Sequence, residues 1–418
     1  MTGLSVIAIA LLGMAVVQAI GVILFVRLFF RRPPKRIADE DLPYASILLP
    51  LRGADPKLAE VLSRLLKQDY PRYDIHIVID RREDPAWDVV VTVLRQMHAE
   101  NVHVSAIERR PETCSPQCRA LTQAVEGLDD QCRVVVIVDG DVMTHRTWLR
   151  ELVEPVLDEQ VGIAHGNRWF IPPDAKWGSL VRYLWNAGAV VPMYFFGIPW
   201  GGSLAIRRSV LHDSGLVELW SRSAVQDAPA VSALKKLGLC VKFVPSLMMV
   251  NRESCGLSFC YDFAKRQMMW TRIYHPHWWP VLAHAIATSA VLSAAAALFV
   301  WALLARSHSS AIWLGCGLVG YLAALMALLG ILEIGVRRVV RDQGEQLEAL
   351  HPLALVKLPL AIPLTQCVYV SAALFATFKR RVMWRGIVYE FRKPFDVRLI
   401  VDRPFEQSAQ QADGNVSI

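Results

Sequence analysis

Charge is thin in this chain: Asp, Glu, Lys and Arg make up 20% of its 418 residues, against 54% hydrophobic residues and a mean hydropathy of +0.32. A soluble domain carries roughly a quarter of its residues charged, so an ordinary all-aqueous protein is excluded. The deficit is local. Residues 4–30 are interrupted only by Gln18 and Arg27, and residues 281–305 and 311–332 hold no Asp, Glu, Lys or Arg. Each run approaches the ~20 residues needed to cross a bilayer. The first run also lacks a small-residue cleavage site, which favours a retained anchor over a removed signal peptide. No internal repeat is visible. Zinc-ligand spacing is missing too: of eight cysteines, Cys114-x3-Cys118 and Cys255-x4-Cys260 are close pairs without a second Cys/His pair beside them, so free thiols are expected.

What charge there is clusters beside the apolar runs. The net charge is +7 and the isoelectric point is near 9.0. Arg31, Arg32, Lys35 and Arg36 follow the first run, and Arg337, Arg338 and Arg341 follow the third. Anionic lipid headgroups are the expected partner of such flanks, and no nucleic acid is expected. Positive residues stay cytoplasmic, which places residues 31–280 inside and makes 281–332 a hairpin turning at Arg306–Ser310. The organisation expected is an anchor at 1–30, a basic linker at 31–43, a cytoplasmic domain at 44–280, a membrane-associated segment at 281–405 and a disordered polar tail at 406–418. Two apolar stretches resist assignment as spans. Tyr183–Ile198 holds Gly188, Pro192 and Gly197, which argues against a continuous helix and for a surface touching lipid from one side. Leu353–Phe378 holds Lys357, Pro359 and Pro363 and ends in Lys379-Arg380-Arg381, which favours a broken or re-entrant helix that leaves the C-terminus inside.

Between linker and hairpin, strand and helix patterns alternate. YASILLP (44–50), YDIHIVID (73–80), 102–107 and RVVVIVD (133–139) read as strands, with amphipathic helices at 56–68, 85–100 and 117–126. The pattern predicts an α/β fold with a doubly wound, mostly parallel sheet, whose ligands collect at the carboxyl ends of the strands. Asp80, Asp84, Asp139 and Asp141 all lie at or just after such ends, so one cleft is expected to gather them. Further on, 226–238 reads as a helix, 241–244 as a strand and 258–273 as an amphipathic helix. Asp139-Gly140-Asp141 alone is also an ordinary turn. After a buried strand, its two carboxylates suit Mg2+ or Mn2+, hard cations that keep sites for substrate phosphates.

At this point the residues resemble the membrane-bound inverting glycosyltransferases of the ceramide glucosyltransferase type. Glu83-Asp84-Pro85-Ala86-x-Asp88 is similar to that family's first aspartate motif, Asp139 in VDGD to its second, and Asp227 in Gln226-Asp227 to its third. Val161–Gly166, Gly201-Gly202-Ser203 with Arg208, Arg266-x3-Trp270 and Trp384-Arg385-Gly386-x2-Tyr389 resemble further motifs in the same order. The resemblance implies a Rossmann-like GT-A nucleotide-sugar transferase domain between an N-terminal transmembrane anchor and C-terminal transmembrane helices. It implies transfer of a hexose from a UDP-sugar, UDP-glucose favoured, to the hydroxyl of a membrane lipid such as ceramide. Asp227 would be the catalytic base. Asp84, Asp139, Arg266, Trp270 and Arg385 would hold the nucleotide sugar, and Asp139 with Asp141 the metal. Plainer readings stand beside these: Asp84 and Asp227 as helix caps, Trp270 as a membrane-surface anchor, Arg385 as a lipid-headgroup contact. Met269 stands where the family has an arginine, with Arg272 nearby; Gln226 replaces an acidic residue, Gln117 a lysine, and Val191-Pro192 a His-Pro. An intact Q-x-x-R-W and more spans would suit a processive polysaccharide synthase, and these departures would suit a catalytically silent scaffold.

Overall fold

In the computed structural model, which describes residues 3–32 and 36–405, the alternating patterns form one sheet buried on both faces. Its first half runs β1 (Ala45–Leu51), α2 (Leu58–Leu65), β2 (Tyr73–Ile79), α3 (Ala86–Met97), β3 (Val102–Ala106), α4 (Pro116–Glu126), β4 (Val134–Val138) and α5 (Trp148–Val156), after an N-terminal α1 (Gly3–Val26). The second half runs β5 (Val161–Phe170), α6 (Trp177–Phe195), β6 (Ser203–Arg207), α7 (Arg208–Asp213), α8 (Leu216–Trp220), α9 (Ala228–Lys236) and β7 (Cys240–Asn251). The strand order is β3-β2-β1-β4-β6-β5-β7. Only β6 runs against its neighbours β4 and β5, so the sheet is parallel-dominated with one reversed strand. Alternate residues feed opposite cores: Ile47, Leu49, Val134 and Val136 pack with α2, α3 and α5, while Leu48, Val135 and Ile137 pack with α4, α7, α8 and α9. Burial on both faces explains the unbroken apolar run of β4.

The remaining elements are α10 (Leu257–Tyr274), α11 (Trp278–Leu304), α12 (His308–Asp342), α13 (Pro352–Phe378) and an antiparallel sheet of β8 (Arg381–Trp384), β9 (Ile387–Lys393) and β10 (Asp396–Asp402). Among the described residues, four helical segments are long and apolar enough to cross a membrane: residues 6–30, which take in most of α1, and α11, α12 and α13. The hairpin of α11 and α12 matches expectation, with α12 extending ten residues beyond the apolar run. All eight cysteines are free. Lys35 and the polar tail from Glu406 lie outside the described residues.

Two expectations fail. α6 is one helix through Gly188 and Pro192, and α13 is one unbroken helix of 27 residues through Pro359 and Pro363. Each proline removes a backbone bond and costs about 3 kcal/mol in an isolated helix. Tertiary burial offsets this: Leu358, Ala361, Ile362, Ala372, Ala373 and Ala376 of α13 are all buried, as are Leu180, Val181, Tyr183 and Val190 of α6. Both ends of α13 also meet the α/β domain. Lys357 Nζ donates to Ala175 O at 3.1 Å near its start, and Arg272 Nη1 donates to Ala376 O and Lys379 O at 2.6 and 2.7 Å at its end. A helix about 40 Å long therefore packs against α10, α6 and α11, and the strands after it come back to the α/β domain.

The β8–β10 sheet is absent from the sequence reading. Its first hairpin turns on Arg385-Gly386, both at positive φ (45° and 76°), the two-residue turn that suits strand twist and requires a left-handed first residue. Ion pairs clamp this sheet to the domain. Arg52 and Arg110 bind buried Asp80 at 2.6 and 2.8 Å and reach Asp402 of β10 at 3.5 and 2.7 Å.

Candidate functional site

The carboxyl ends of β1 and β4, the turn before β6 and the start of α9 open into a cavity of about 810 Å³. Asp139 and Asp141 leave β4 directly into it. Asp227 enters as the N-cap of α9, its Oδ1 accepting from Ala228 N at 2.7 Å, while its Oδ2 accepts from Gly201 N at 2.8 Å. The capping reading is thus correct and does not exclude the other, because each carboxylate oxygen keeps a second lone pair. Gly201 and Gly202 form a tight turn between the two acidic sites. A Cβ on Gly201 would stand 2.4 Å from Gln226 Nε2, and one on Gly202 would stand 2.8 Å from Asp139 Oδ2 and 2.3 Å from the Trp200 ring. Only glycine allows Asp139 and Asp227 to share this turn.

Three arginines converge on the same cavity. Arg168 at the end of β5 lies 3.3 Å from Asp141 and 3.6 Å from Asp139, over the Trp200 ring. Arg266 of α10 is buried over Trp384 and Phe263 and forms no ion pair among the described residues. Burial, then the charges of Arg385 and Arg168, pull its pKa down to about 9. Arg385 lines the cavity from the β8–β9 turn, where its backbone carbonyl accepts from Arg52 Nε at 3.2 Å. A buried cation close to two others is a chemistry that suits an anion. Trp270 is buried against Tyr389 and Phe391, at 6.1 and 5.3 Å between ring centres, and borders the cavity rather than reaching lipid.

Burial raises the pKa of Asp227, against the amides of Gly201 and Ala228. Asp139 is pushed up to about 7 by burial first, then by the charge of Asp141, with Arg168 opposing. Asp141 Oδ2 is buried and accepts no hydrogen bond, although Arg168 stands near. Two crowded carboxylates with an orphaned oxygen at a strand end are a donor set that fits a hard divalent cation.

The expected cleft of four aspartates divides. Asp139 and Asp141 line the cavity, whereas Asp80 and Asp84 do not. Asp84 accepts Gly53 N at 3.0 and 2.9 Å and Ala86 N at 2.9 Å, so it shapes the loop after β1; Asp88 is exposed. Of the departures, Met269 is fully buried in the cluster under Tyr389, and Arg272 ties down the end of α13, so Arg272 does not stand in for the missing arginine. Gln117 Nε2 still reaches Asp139 Oδ1 at 3.2 Å. The sequence reading missed Arg168 and Asp55. Asp55 lines the cavity, and burial raises it to about 6. It follows the carboxyl end of β1, and that position alone was a usable signal.

Below the charged end the cavity turns apolar. It runs on between Val17 and Gly21 of α1, Val191 of α6, Leu328 of α12 and Ile362 of α13.

A ceramide glucosyltransferase of Pyricularia oryzae is 36% identical over 89 residues, 20% of this chain and 18% of that protein. One of Gibberella zeae is 24% identical over 170 residues, 37% of this chain and 32% of that protein. The chain thus matches less than a third of the length of these relatives. Among solved structures, a mannosyltransferase from Pyrobaculum calidifontis in complex with GDP-mannose and Mn2+ covers 90% of this chain and 99% of its own, at 16% identity and a TM-score of 0.49. Glucosyl-3-phosphoglycerate synthase from Mycobacterium tuberculosis covers 57% of this chain and 84% of its own, at 14% identity and a TM-score of 0.39. Matched from residue 6 to residue 395, the chain belongs to glycosyl transferase family 21.

Proposed function

We propose that this protein is an inverting hexosyltransferase that moves a sugar from a UDP-sugar, UDP-glucose favoured, to the hydroxyl of a membrane lipid such as ceramide. The observation that carries the reading is the continuity of one cavity from Asp139, Asp141 and Asp227 to apolar side chains of α1, α6, α12 and α13. A lipid has a hydroxyl to present at the first end and acyl chains to lodge at the second.

Asp139 and Asp141 would hold Mg2+ or Mn2+, which when bound neutralises charge on the nucleotide diphosphate. Arg266 and Arg385 donate to the diphosphate oxygens, and the buried position of Arg266 makes that contact strong. Trp270 walls the donor side. Asp84 supports the nucleotide indirectly, by holding Gly53 at the cavity rim. Asp227 accepts the proton of the lipid hydroxyl as that oxygen bonds to the anomeric carbon and the bond from carbon to phosphate oxygen breaks. Its raised pKa makes it a better base than an exposed aspartate. The Gly201-Gly202 turn fixes the base relative to Asp139, so proton removal and departure of the nucleotide occur at set positions.

The same reading places α1, α11 and α12 across an inner or cell membrane and α13 along its surface, with the catalytic domain cytoplasmic. An odd number of crossings before the domain and an even number after it keeps β8–β10 on the domain's side, in agreement with the Arg52, Asp80 and Asp402 contacts. The test is transfer of label from UDP-glucose, UDP-galactose and UDP-N-acetylglucosamine to total lipid extract with Mg2+ or Mn2+. Label in the organic phase, strongest with UDP-glucose, is expected; none from any donor would overturn the proposal.

A further inference from the structure

At the opposite, amino end of the same strands lies a second cluster of ligating groups that the transfer reaction does not use. Asp74 and His76 are two residues apart on β2 and share a face, and His103 on edge strand β3 is the register partner of His76. His76 Nε2 lies 2.9 Å and His103 Nε2 3.6 Å from Asp74 Oδ2, and ligand atoms of all three fall within 4.8 Å of one another. The two imidazoles are 4.7 Å apart between ring centres, tilted by 30°. Asp74 lies six positions before Asp80, about 20 Å along β2, and His76 and His103 lie three positions, about 10 Å, before the ends of β2 and β3.

Two further features point to a ligand. Asp74 is buried, and its second oxygen, Oδ1, accepts no hydrogen bond; the Ser46 hydroxyl, on the register partner of Asp74 in β1, is fully buried and likewise unpaired. On the outer side the His103 side chain is 63% exposed, so an ion in solution has access.

We propose that Asp74, His76 and His103 form a binding site for a divalent transition metal of the zinc class, separate from the catalytic carboxylates. Two ligands at about 2.0–2.2 Å from a tetrahedral ion lie roughly 3.3–3.6 Å apart; the His103 spacing to Asp74 Oδ2 falls in that range, and the 2.9 Å His76 hydrogen bond would open by about half an ångström to admit the ion. Two imidazoles and a carboxylate suit zinc, whereas the all-oxygen pair Asp139 and Asp141 suits Mg2+ or Mn2+. A metal here would pin edge strand β3 to β2.

The test uses the full chain in detergent, stripped with EDTA and titrated with Zn2+ by calorimetry and with Co2+ by visible absorption. The Asp139→Asn/Asp141→Asn double variant should bind one equivalent, and it and wild type should both show the absorption of tetrahedral Co2+. His103→Ala, at an exposed position, should fold and bind at least tenfold more weakly, and His76→Gln should abolish binding. Zn2+ should raise the wild-type Tm by about 2 °C or more and leave the His103→Ala Tm unmoved. Unchanged titrations in both histidine variants, or loss of the site only in the aspartate double variant, would overturn the proposal.

Discussion

Two arginine and aspartate clusters flank the loop after β1, and they differ in how completely they are paired. In the clamp, Asp80 is fully buried and both of its oxygens meet guanidinium groups, Arg52 at 2.6 Å and Arg110 at 2.8 Å, while Asp402 meets Arg81 and Arg110. In the cavity, Arg266 has no ion pair among the described residues, Asp141 keeps a buried oxygen without a hydrogen bond, and Asp139 is driven toward neutrality by burial first and then by the charge of Asp141. The same residue types thus serve two ends. Satisfied charges hold the β8–β10 sheet to the domain, and the unsatisfied ones are those the proposed function assigns to a charged ligand.

The contrast breaks most sharply at Asp227. Asp227→Asn should lower transfer about 10²–10⁴-fold, leaving donor binding and Tm close to wild type, as measured by label transfer, UDP-glucose titration and thermal unfolding. Asp80→Asn should do the reverse: removing one partner of a buried pair costs about 3 kcal/mol, seen as a lower Tm, and transfer should fall only as far as Arg385 is displaced. If Asp80→Asn proved as stable as wild type, the division into clamp and site would fail. Arg266→Gln should weaken donor binding by about 1.5–3 kcal/mol, read as a raised KM for UDP-glucose, without loss of stability, because the residue removed is a buried cation lacking an ion pair. The smallest effect is on pH. Asp227 must be ionised to act and burial raises its pKa, so the rate should fall with decreasing pH through a midpoint above the ordinary aspartate range. An acid limb near pH 4 would contradict this.

Much of this was legible in the residues. The buried run of β4, its terminal Asp139 and Asp141, the helices before it and the hairpin of α11 and α12 all follow from local pattern, which depends on neighbours a few residues away. The failures are where distant contacts decide. Pro359, Pro363 and Pro192 read locally as breaks, yet burial along α13 and α6 holds both helices intact. Arg168 lies 27 residues beyond Asp141 and meets it only because β5 runs beside β6, the reversed neighbour of β4. Arg272 looked like a substitute for the arginine lost at Met269, and only the packing of α13 against α10 shows that its guanidinium is already engaged. Asp84 carried a motif, but its oxygens face Gly53 and not the cavity.

The most direct measurement is the anomeric configuration of the lipid product, read from the sugar H1 to H2 coupling by NMR after reaction with α-linked UDP-glucose. With Asp227 as base and a single displacement at the anomeric carbon, the product must be the β-glucoside. An α-linked glycolipid would contradict the account.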